Sequence, residues 1–208
     1  MFLTDICLAM LKAYLHKKYI EAGIDEAGRG CYAGPVLAAA VILPKDFFHP
    51  FLNDSKQLSE KQREELRPII EKESICYSVQ QVDNTIIDQV NILQATFMAM
   101  HLAIADLKII PERLLIDGNR FKAYQQIEHT CIVEGDGKYA SIAAASVLAK
   151  TYRDDLMRKL HTGYPQYGWD KNKGYGTAFH RQAIEQYGLC DQHRKSFNIT
   201  ATASALFD

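Results

Sequence analysis

Apolar and polar positions along the chain fall into blocks with two different periods. Short apolar runs rich in β-branched and aromatic residues predict strands, and apolar residues spaced three and four apart predict helices. The predicted strands cover residues 19–24, 36–43, 75–82, 114–116 and 130–133. The predicted helices cover residues 4–18, 59–72, 91–107, 139–160 and 177–187. Two early strands followed by alternating helices and strands indicate an α/β protein with a mixed sheet flanked by helices.

Several helices carry recognisable terminal signals. Ser59 followed three residues later by Gln62 matches a capping box, and Asn91 is the expected N-cap of the third helix. Gly188 is expected to end the last helix. The helix over 139–160 begins with alanines and serines, which favours close packing against the sheet.

The composition is that of an ordinary globular domain. The chain has 208 residues, of which 48% are hydrophobic and 24% charged, so extensive disorder, a collagen repeat and a coiled coil are excluded. Because we find no repeat and no Pro/Gly/Ser-rich linker, we predict a single catalytic domain over residues 1–208.

The formal net charge of −1 gives no sign of a polyanionic partner. The charges are unevenly placed, however, because residues 150–195 hold nine Lys and Arg against five Asp and Glu. We therefore predict that residues 150–195 form a basic helical C-terminal part of the same domain. This part is expected to follow phosphates, while the acidic body holds cations.

Five scattered cysteines argue against disulfides and against a zinc knuckle, since no C-x-x-C pair occurs. Buried free thiols are expected instead. We find no signal peptide and no run of about 18 apolar residues that would cross a membrane. A cytoplasmic location is therefore expected.

Four acidic residues stand beside glycines near strand ends, namely Asp25, Glu26, Asp117 and Asp136. Carboxylates that converge repel one another, and a hard divalent cation such as Mg²⁺ would offset the repulsion. Each residue taken alone is better explained as a cap or a turn former. Consecutive strand residues also point to opposite faces, so Asp25 and Glu26 share a site only if the strand twists or ends there. Spacing alone leaves the metal site open.

The segment from Gly28 to Ala33 formally matches the dinucleotide fingerprint G-x-G-x-x-G/A. That fingerprint must open a helix, whereas a strand-like run follows here. The glycines are better explained by close approach of a phosphate or ribose to backbone N–H groups, with Arg29 between Gly28 and Gly30.

These motifs occur in the order found in type 2 ribonucleases H, and the chain resembles the ribonuclease HII family over roughly residues 20–188. The matching segments are GIDEAGRG (23–30), AGPV (33–36), DSKQL (54–58), IDG (116–118), GDGK (135–138) leading into 141–150, and KGYGT (173–177). Five motifs in register, with AGPV counted as the continuation of the first, make the resemblance specific.

The resemblance implies a ribonuclease H-like fold, with a mixed five-stranded sheet flanked by helices and a helical C-terminal part. It also implies metal-dependent hydrolysis of the RNA strand of RNA–DNA hybrids, and nicking of duplex DNA 5′ to embedded ribonucleotides. The products would carry 3′-hydroxyl and 5′-phosphate ends. Two Mg²⁺ or Mn²⁺ ions would activate water.

By the same resemblance each motif assigns a role. Asp25, Glu26, Asp117 and Asp136 would bind the metal and carry catalysis. The turn Gly28-Arg29-Gly30 would read the 2′-hydroxyl at the RNA–DNA junction, Tyr175 would stack on the next sugar, and Lys56 would contact a phosphate or the junction.

Other interpretations remain at this point. Ribonuclease HIII resembles the same core but carries a further N-terminal domain, and only about 19 residues precede the first predicted strand here. A binding module without catalysis would not need four acids, and a Rossmann-type oxidoreductase would need a helix after the glycines. The expected protein is a monomer without membrane contact. The tail 204–207 only faintly resembles segments that dock on a replication clamp.

Overall fold

Five strands form one mixed sheet in the computed structural model, which describes residues 11–199. They are β1 (Glu21–Ala27), β2 (Val36–Ile42), β3 (Cys76–Val82), β4 (Arg113–Asp117) and β5 (Glu128–Ile132). The spatial order is β3-β2-β1-β4-β5. Strand β2 pairs antiparallel with β1 and β3, whereas β4 pairs parallel with β1 and β5. The predicted mixed five-stranded sheet is confirmed.

Helices cover both faces of this sheet. They are α1 (Glu60–Glu73), α2 (Asn84–Val90), α3 (Ile92–Ala105), α4 (Ala140–Gly163), α5 (Trp169–Asn172) and α6 (Ala178–Tyr187). Two 3₁₀ turns, Gly135–Gly137 and Pro165–Tyr167, precede α4 and α5 respectively. No helix among the residues described is long and apolar enough to cross a membrane.

Strand β2 shows why the sheet is covered on both sides. All seven of its residues are buried, and successive side chains point to opposite faces. Ala38 and Ala40 face a core shared with α3, while Ala39 and Val41 face a core shared with α1 and α4. A strand buried on both faces reads as a continuous apolar run, which is the pattern seen in its sequence.

The predicted helix signals form as expected. The Ser59 hydroxyl accepts from the Gln62 amide while the Gln62 side chain accepts from the Ser59 amide, which completes the capping box. The Asn91 side chain accepts from the amides of Leu93 and Gln94 at the start of α3. Helix α6 begins after Thr177 and ends at Gly188, as predicted.

The helix predicted over residues 4–18 is wrong for the part that the structure describes. Residues 1–10 lie outside the described part, but residues 11–18 form turns and a bridge rather than a helix. The buried Glu21 carboxylate accepts from the amides of Leu15 and His16, which holds the chain in a non-helical path.

Strand β1 also extends past its predicted end to Ala27, so Asp25 and Glu26 lie within it. Helix α2 was not predicted, although Asp83 caps it.

The surplus of positive charge in residues 150–195 lies largely inside the protein. Arg153, Lys173 and Arg194 are buried. Lys150 pairs with Asp154, and Arg158 pairs with acids of α1 and with Asp155. The exposed lysines of this part are Lys159, Lys171 and Lys195. A count of charges along the sequence therefore overstates the basic surface.

Candidate active site

Three aspartates meet at one end of the sheet. Asp25 lies in β1, Asp117 is the last residue of the neighbouring parallel strand β4, and Asp136 lies in the 3₁₀ turn after β5. One carboxylate oxygen from each lies within 4.8 Å of the others, so the three are placed to hold a metal ion. The carboxyl ends of parallel strands share one edge of a sheet, which is why these motifs converge although 111 residues separate the first from the last.

The charge of this cluster is only partly compensated, because Lys56 is the one cationic side chain among residues 11–199 that pairs with any of the three aspartates. Asp25 and Asp136 are both buried. Burial raises the pKa of Asp25 well above its ordinary value, and the charges of Glu26 and Asp117 raise it further. Burial, with repulsion from Asp117, likewise raises the pKa of Asp136 to about 6. The buried Oδ2 of Asp136 has no hydrogen-bond partner within residues 11–199. A buried carboxylate oxygen without a hydrogen-bond donor, among mutually repelling acids, fits a divalent cation.

Glu26 lies beside the cluster but outside the set of three. Its carboxylate pairs with the Arg29 guanidinium at 2.9 Å, because consecutive strand residues point to opposite faces. Burial raises the pKa of Glu26, although Arg29 opposes this. Glu26 and Asp117 line a cavity of about 360 Å³ together with Arg29, Arg120 and the apolar side of α3.

A pair of serines supports Asp25, and the sequence did not single them out. The Ser146 hydroxyl of α4 hydrogen bonds the Asp25 carboxyl and lowers its pKa, against the larger effect of burial. Ser55 and Ser146 hydroxyls lie 2.7 Å apart and are buried. The two hydroxyls therefore form a buried polar pair beside Asp25. Ser146 interrupts a run of alanines, and this polar residue in a packed stripe is the signal that could have found it.

Lys56 reaches the cluster from the loop before α1. Its ammonium lies 3.5 Å from Asp136 Oδ2, while most of the side chain is exposed. Although burial opposes it, the charges of Asp136 and Asp54 raise the pKa of Lys56. Lys56 is therefore a largely exposed cation at the rim of the acidic cluster and not a buried ion-pair partner of the aspartates.

The glycine turn, residues 28–30, joins β1 to the segment that leads into β2. Gly28 has φ +94°, and a Cβ there would lie 1.9 Å from Arg153 Nε, so only glycine fits. A Cβ on Gly30 would meet no protein atom within 4 Å. Arg29 and Gly30 are exposed. The turn is followed by the antiparallel strand β2 and not by a helix, which excludes the dinucleotide-binding arrangement.

Tyr175 lies against this turn. Cys31 and Tyr175 form an isolated antiparallel bridge, and the Tyr32 amide donates to the Gly174 carbonyl at 2.8 Å. The Tyr175 side chain is half-exposed, with the Lys150 ammonium 5.9 Å from its ring centre. The structure therefore brings together the glycine turn, Tyr175 and the acidic cluster as one surface.

Comparison with known proteins identifies the family. The sequence profile of ribonuclease HII matches residues 22–200. The chain belongs to the ribonuclease HII family. It is 60% identical over 190 residues to ribonuclease HII of Bacteroides thetaiotaomicron, covering 91% of this chain and 95% of that one. It is 60% identical over 193 residues to ribonuclease HII of Phocaeicola vulgatus, covering 93% and 96%.

Solved structures agree on the fold. Ribonuclease H2 of Pyrococcus horikoshii superposes with a TM-score of 0.71 at 25% identity, covering 87% of this chain and 95% of that one. Ribonuclease HII of Archaeoglobus fulgidus, solved in a complex with PCNA, gives 0.72 at 24% identity, covering 86% and 95%. Bst ribonuclease HIII, solved with Mn²⁺, gives 0.66 at 20% identity and covers 93% and 70%. The ribonuclease H-like fold is confirmed.

Membership of the ribonuclease HII family makes this protein an endonuclease, a hydrolase with ribonuclease H activity on RNA–DNA hybrids. The preference for HII over HIII is confirmed by the family profile. The alternatives of a binding module without catalysis and of a Rossmann-type oxidoreductase are excluded.

Proposed function

We propose that this ribonuclease nicks duplex DNA on the 5′ side of an embedded ribonucleotide, besides cutting RNA in hybrids. The products would carry a 3′-hydroxyl and a 5′-phosphate. The observation that carries this proposal is the adjacency of two features on one surface. An acidic cluster suited to a divalent cation lies next to a glycine turn whose outer face is open to a ligand.

Asp25, Asp117 and Asp136 would hold the cation, with Glu26 completing the set from the adjacent side. Their oxygen donors suit Mg²⁺ and Mn²⁺, which do not require sulfur or nitrogen ligands. Bound metal, two ions in the proposed mechanism, would supply an activated water and stabilise the leaving oxygen. The raised pKa values of Asp25 and Asp136 agree with this assignment, since a cation would remove the repulsion that causes part of the shift.

The side chains of this protein would do the rest by orientation. The buried Ser55–Ser146 pair would help to orient the Asp25 carboxyl, whose pKa Ser146 lowers. Lys56 would contact a substrate phosphate at the rim of the cluster, where its free end is exposed. The dedicated nucleophile in such a reaction is water, so no nucleophilic side chain is needed.

Recognition of the ribonucleotide would fall to the glycine turn and Tyr175. RNA differs from DNA at the 2′-hydroxyl, and the backbone of the turn from Gly28 to Gly30 would approach it where Gly30 has no side chain. Arg29 would lie near a phosphate. Tyr175 would stack on the sugar of the following deoxynucleotide, since its ring is half-exposed beside the turn.

A duplex with one embedded ribonucleotide tests the proposal. We expect a single nick 5′ to that ribonucleotide with Mg²⁺ or Mn²⁺ present, and none with EDTA. End-labelled products should show a 3′-hydroxyl and a 5′-phosphate. An all-DNA duplex of the same sequence is the matched control and should stay intact.

The outcomes separate the parts of the proposal. Cleavage of a long RNA–DNA hybrid without cleavage at the single ribonucleotide would refute junction recognition but keep the metal assignment. Cleavage in EDTA would refute the metal assignment. The monomeric state and the cytoplasmic location stay predictions, and the tail 204–207 lies outside the described residues.

A further inference from the structure

Arg194 lies fully buried beneath the glycine turn and binds its carbonyl groups. Nη2 donates to the Gly28 carbonyl at 2.7 Å, and Nη1 donates to the Arg29 carbonyl at 2.8 Å. Nε and Nη2 also reach the carbonyls of Gly34 and Pro35, at 2.9 and 3.1 Å. Among residues 11–199 no carboxylate lies within ion-pair distance of Arg194. A rigid guanidinium fork bound only to carbonyl groups fixes the direction of those peptide planes.

These contacts decide which side of the turn faces outward. A trans peptide group carries its C=O and N–H on opposite sides of the chain. Carbonyls of Gly28 and Arg29 that point inward to Arg194 therefore turn the amides of Arg29 and Gly30 outward. Neither amide donates to another group in the described part of the chain. The turn thus presents two unused donors at the position where Gly30 leaves open space.

The preceding residue, His193, is connected to Tyr175 through a second buried histidine. His180 Nδ1 lies 2.9 Å from the Tyr175 carbonyl and therefore carries a proton. His180 Nε2 then accepts from Trp169 Nε1 at 3.0 Å and from His193 Nε2 at 3.1 Å. His193 Nδ1 accepts from the Cys190 amide at 3.0 Å, which leaves its proton on Nε2. Both ring nitrogens of each neutral imidazole thus have partners, with Trp169 and His193 sharing the lone pair of His180 Nε2, and with Cys190 Sγ also 3.2 Å from His193 Nδ1.

We propose that His193 and Arg194 are positioning residues for recognition of the ribonucleotide. Arg194 orients the amides of the glycine turn. His193, acting through His180, fixes the backbone of Tyr175. Because the two residues are consecutive, one short buried segment sets the distance between the two halves of the recognition surface.

The backbone around this segment supports the same role. The Arg194 amide donates to the Tyr32 carbonyl at 2.8 Å, and the Gly34 amide donates to the Gln192 carbonyl at 2.8 Å. The segment is thus tied to the chain on the β2 side of the glycine turn. A displacement of about 1 Å would lengthen a hydrogen bond from the turn beyond its useful range, so the segment bears directly on selectivity. This inference rests on the proposed function of the turn.

Arg194→Lys tests the first half. Lysine keeps the charge but cannot reach several carbonyls in a fork. Binding would be measured in an Asp25→Asn background, for a duplex with one ribonucleotide and for the all-DNA duplex. Selectivity is the Kd for the all-DNA duplex divided by the Kd for the duplex with one ribonucleotide. We expect this ratio to fall about tenfold, as for one lost hydrogen bond to a charged group. Binding of the all-DNA duplex should change less than about twofold.

Arg67→Lys is the matched control. Arg67 also makes several hydrogen-bonded contacts, to Glu71 and Asp155, but it lies on α1 away from the turn. Its Kd ratio should equal that of the parent protein. If Arg194 contributed only to stability, Arg194→Lys would weaken binding of both duplexes equally, or would lower the melting temperature of the protein, without changing the Kd ratio.

His180→Leu and His180→Gln test whether the histidine pair fixes the backbone of Tyr175. If Arg194→Lys does not fold, these two variants provide the test of the positioning role. Leucine breaks the connection to Tyr175, whereas a glutamine amide can both donate to that carbonyl and accept from Trp169. We expect a reduced ratio for leucine and recovery for glutamine. Folded variants that keep the parent ratio would refute the positioning role. A parent protein without any preference for the ribonucleotide would instead refute the proposed function, and this inference with it.

Discussion

Two buried charged regions lie close together at this surface, and they differ in how their charges are compensated. The aspartates at positions 25, 117 and 136 face one another, and one buried oxygen has no hydrogen-bond partner within the residues that the structure describes. Beneath the glycine turn, Arg153 and Arg194 are equally buried, but each donates to carbonyl oxygens from all three of its nitrogens.

The difference separates a region that needs a ligand from a region that is complete. The acidic cluster is destabilised by its own charge, so an added cation is expected to stabilise it. Every guanidinium nitrogen of the cationic region has a hydrogen-bond partner, so this region is ordered before substrate arrives. The aspartates that would serve catalysis therefore need an added cation, whereas the arginines that hold the glycine turn need no ligand.

The largest expected effect comes from breaking the acidic cluster. Asp25→Asn keeps the shape of the side chain but removes a charged oxygen donor, so cleavage should fall by at least about 10³-fold. Binding of the uncut hybrid should stay within about threefold, because the glycine turn is untouched. The measurements are single-turnover cleavage and hybrid Kd.

Asp106→Asn is a matched control for that variant. Asp106 accepts from Ser78 and Gln80 on another part of the sheet, away from the cluster. Its cleavage rate should equal that of the unmodified protein. An Asp25→Asn protein that cut normally would show that Asp25 does not hold the metal.

The metal-free protein should be more stable without the charge of Asp136. Its pKa of about 6 lies above the ordinary value of 3.8, so between these values the folded state binds more protons than the unfolded state. This group therefore destabilises the protein above pH 6, and that cost disappears as the pH falls towards 4. Asp136→Asn should raise stability at pH 7.5 by about 1–2 kcal/mol, measured by urea denaturation in EDTA.

Metal addition sharpens this result. Mg²⁺ should stabilise the unmodified protein, because it binds the folded state, and should stabilise Asp136→Asn much less. If Asp136→Asn were instead less stable in EDTA, the charge of this aspartate would already be compensated in the folded protein, and the acidic cluster would not need a cation.

The histidines below the glycine turn should respond to acid in the opposite sense. Burial, with the neighbouring His180, lowers the pKa of His193 to about 4. Between pH 6.5 and 4 the unfolded state therefore binds more protons, so the stability that neutral His193 contributes is lost as the pH falls. The expected loss is about 1–3 kcal/mol. His193→Gln should flatten this part of the pH profile.

The two opposing effects can be separated in one series. Denaturation at pH 7 and pH 5 would be compared for Asp136→Asn with and without His193→Gln. The Asp136→Asn protein should lose stability on acidification, and the double variant should lose less. Equal losses in both would mean that His193 is not held neutral by its surroundings.

The same two regions show what the sequence could predict. Asp117 and Asp136 stand at strand ends beside glycines, so the sequence indicated that their carboxylates could converge but left the metal site open. The resemblance to ribonuclease HII added roles for the glycine turn and Tyr175. The sequence placed Asp25 and Glu26 at one site only if the strand twists or ends there, and in the structure Glu26 lies outside the group of three aspartates with its carboxylate paired to Arg29.

The cationic region was not predicted, because it depends on contacts between distant residues. Arg194 meets the glycine turn across more than 160 residues of chain. Ser146 meets Ser55 across 91 residues. Charged residues are usually exposed, so a count of Lys and Arg assigned Arg153, Lys173 and Arg194 to a basic surface. Burial of these three side chains corrects that interpretation.

The smallest expected effect concerns Lys171 and Lys173, two neighbouring lysines that differ in exposure. Lys171 is exposed, whereas the Lys173 ammonium bonds the Asp170 carbonyl and lies 3.3 Å from Glu60. Only an exposed lysine can neutralise a phosphate and release a counterion, so Lys171→Gln should reduce the salt slope of hybrid binding by about 1. Lys173→Gln should leave the slope unchanged and lower stability instead. Equal slopes for Lys171→Gln and the unmodified protein would show that substrate does not reach this part of the basic surface.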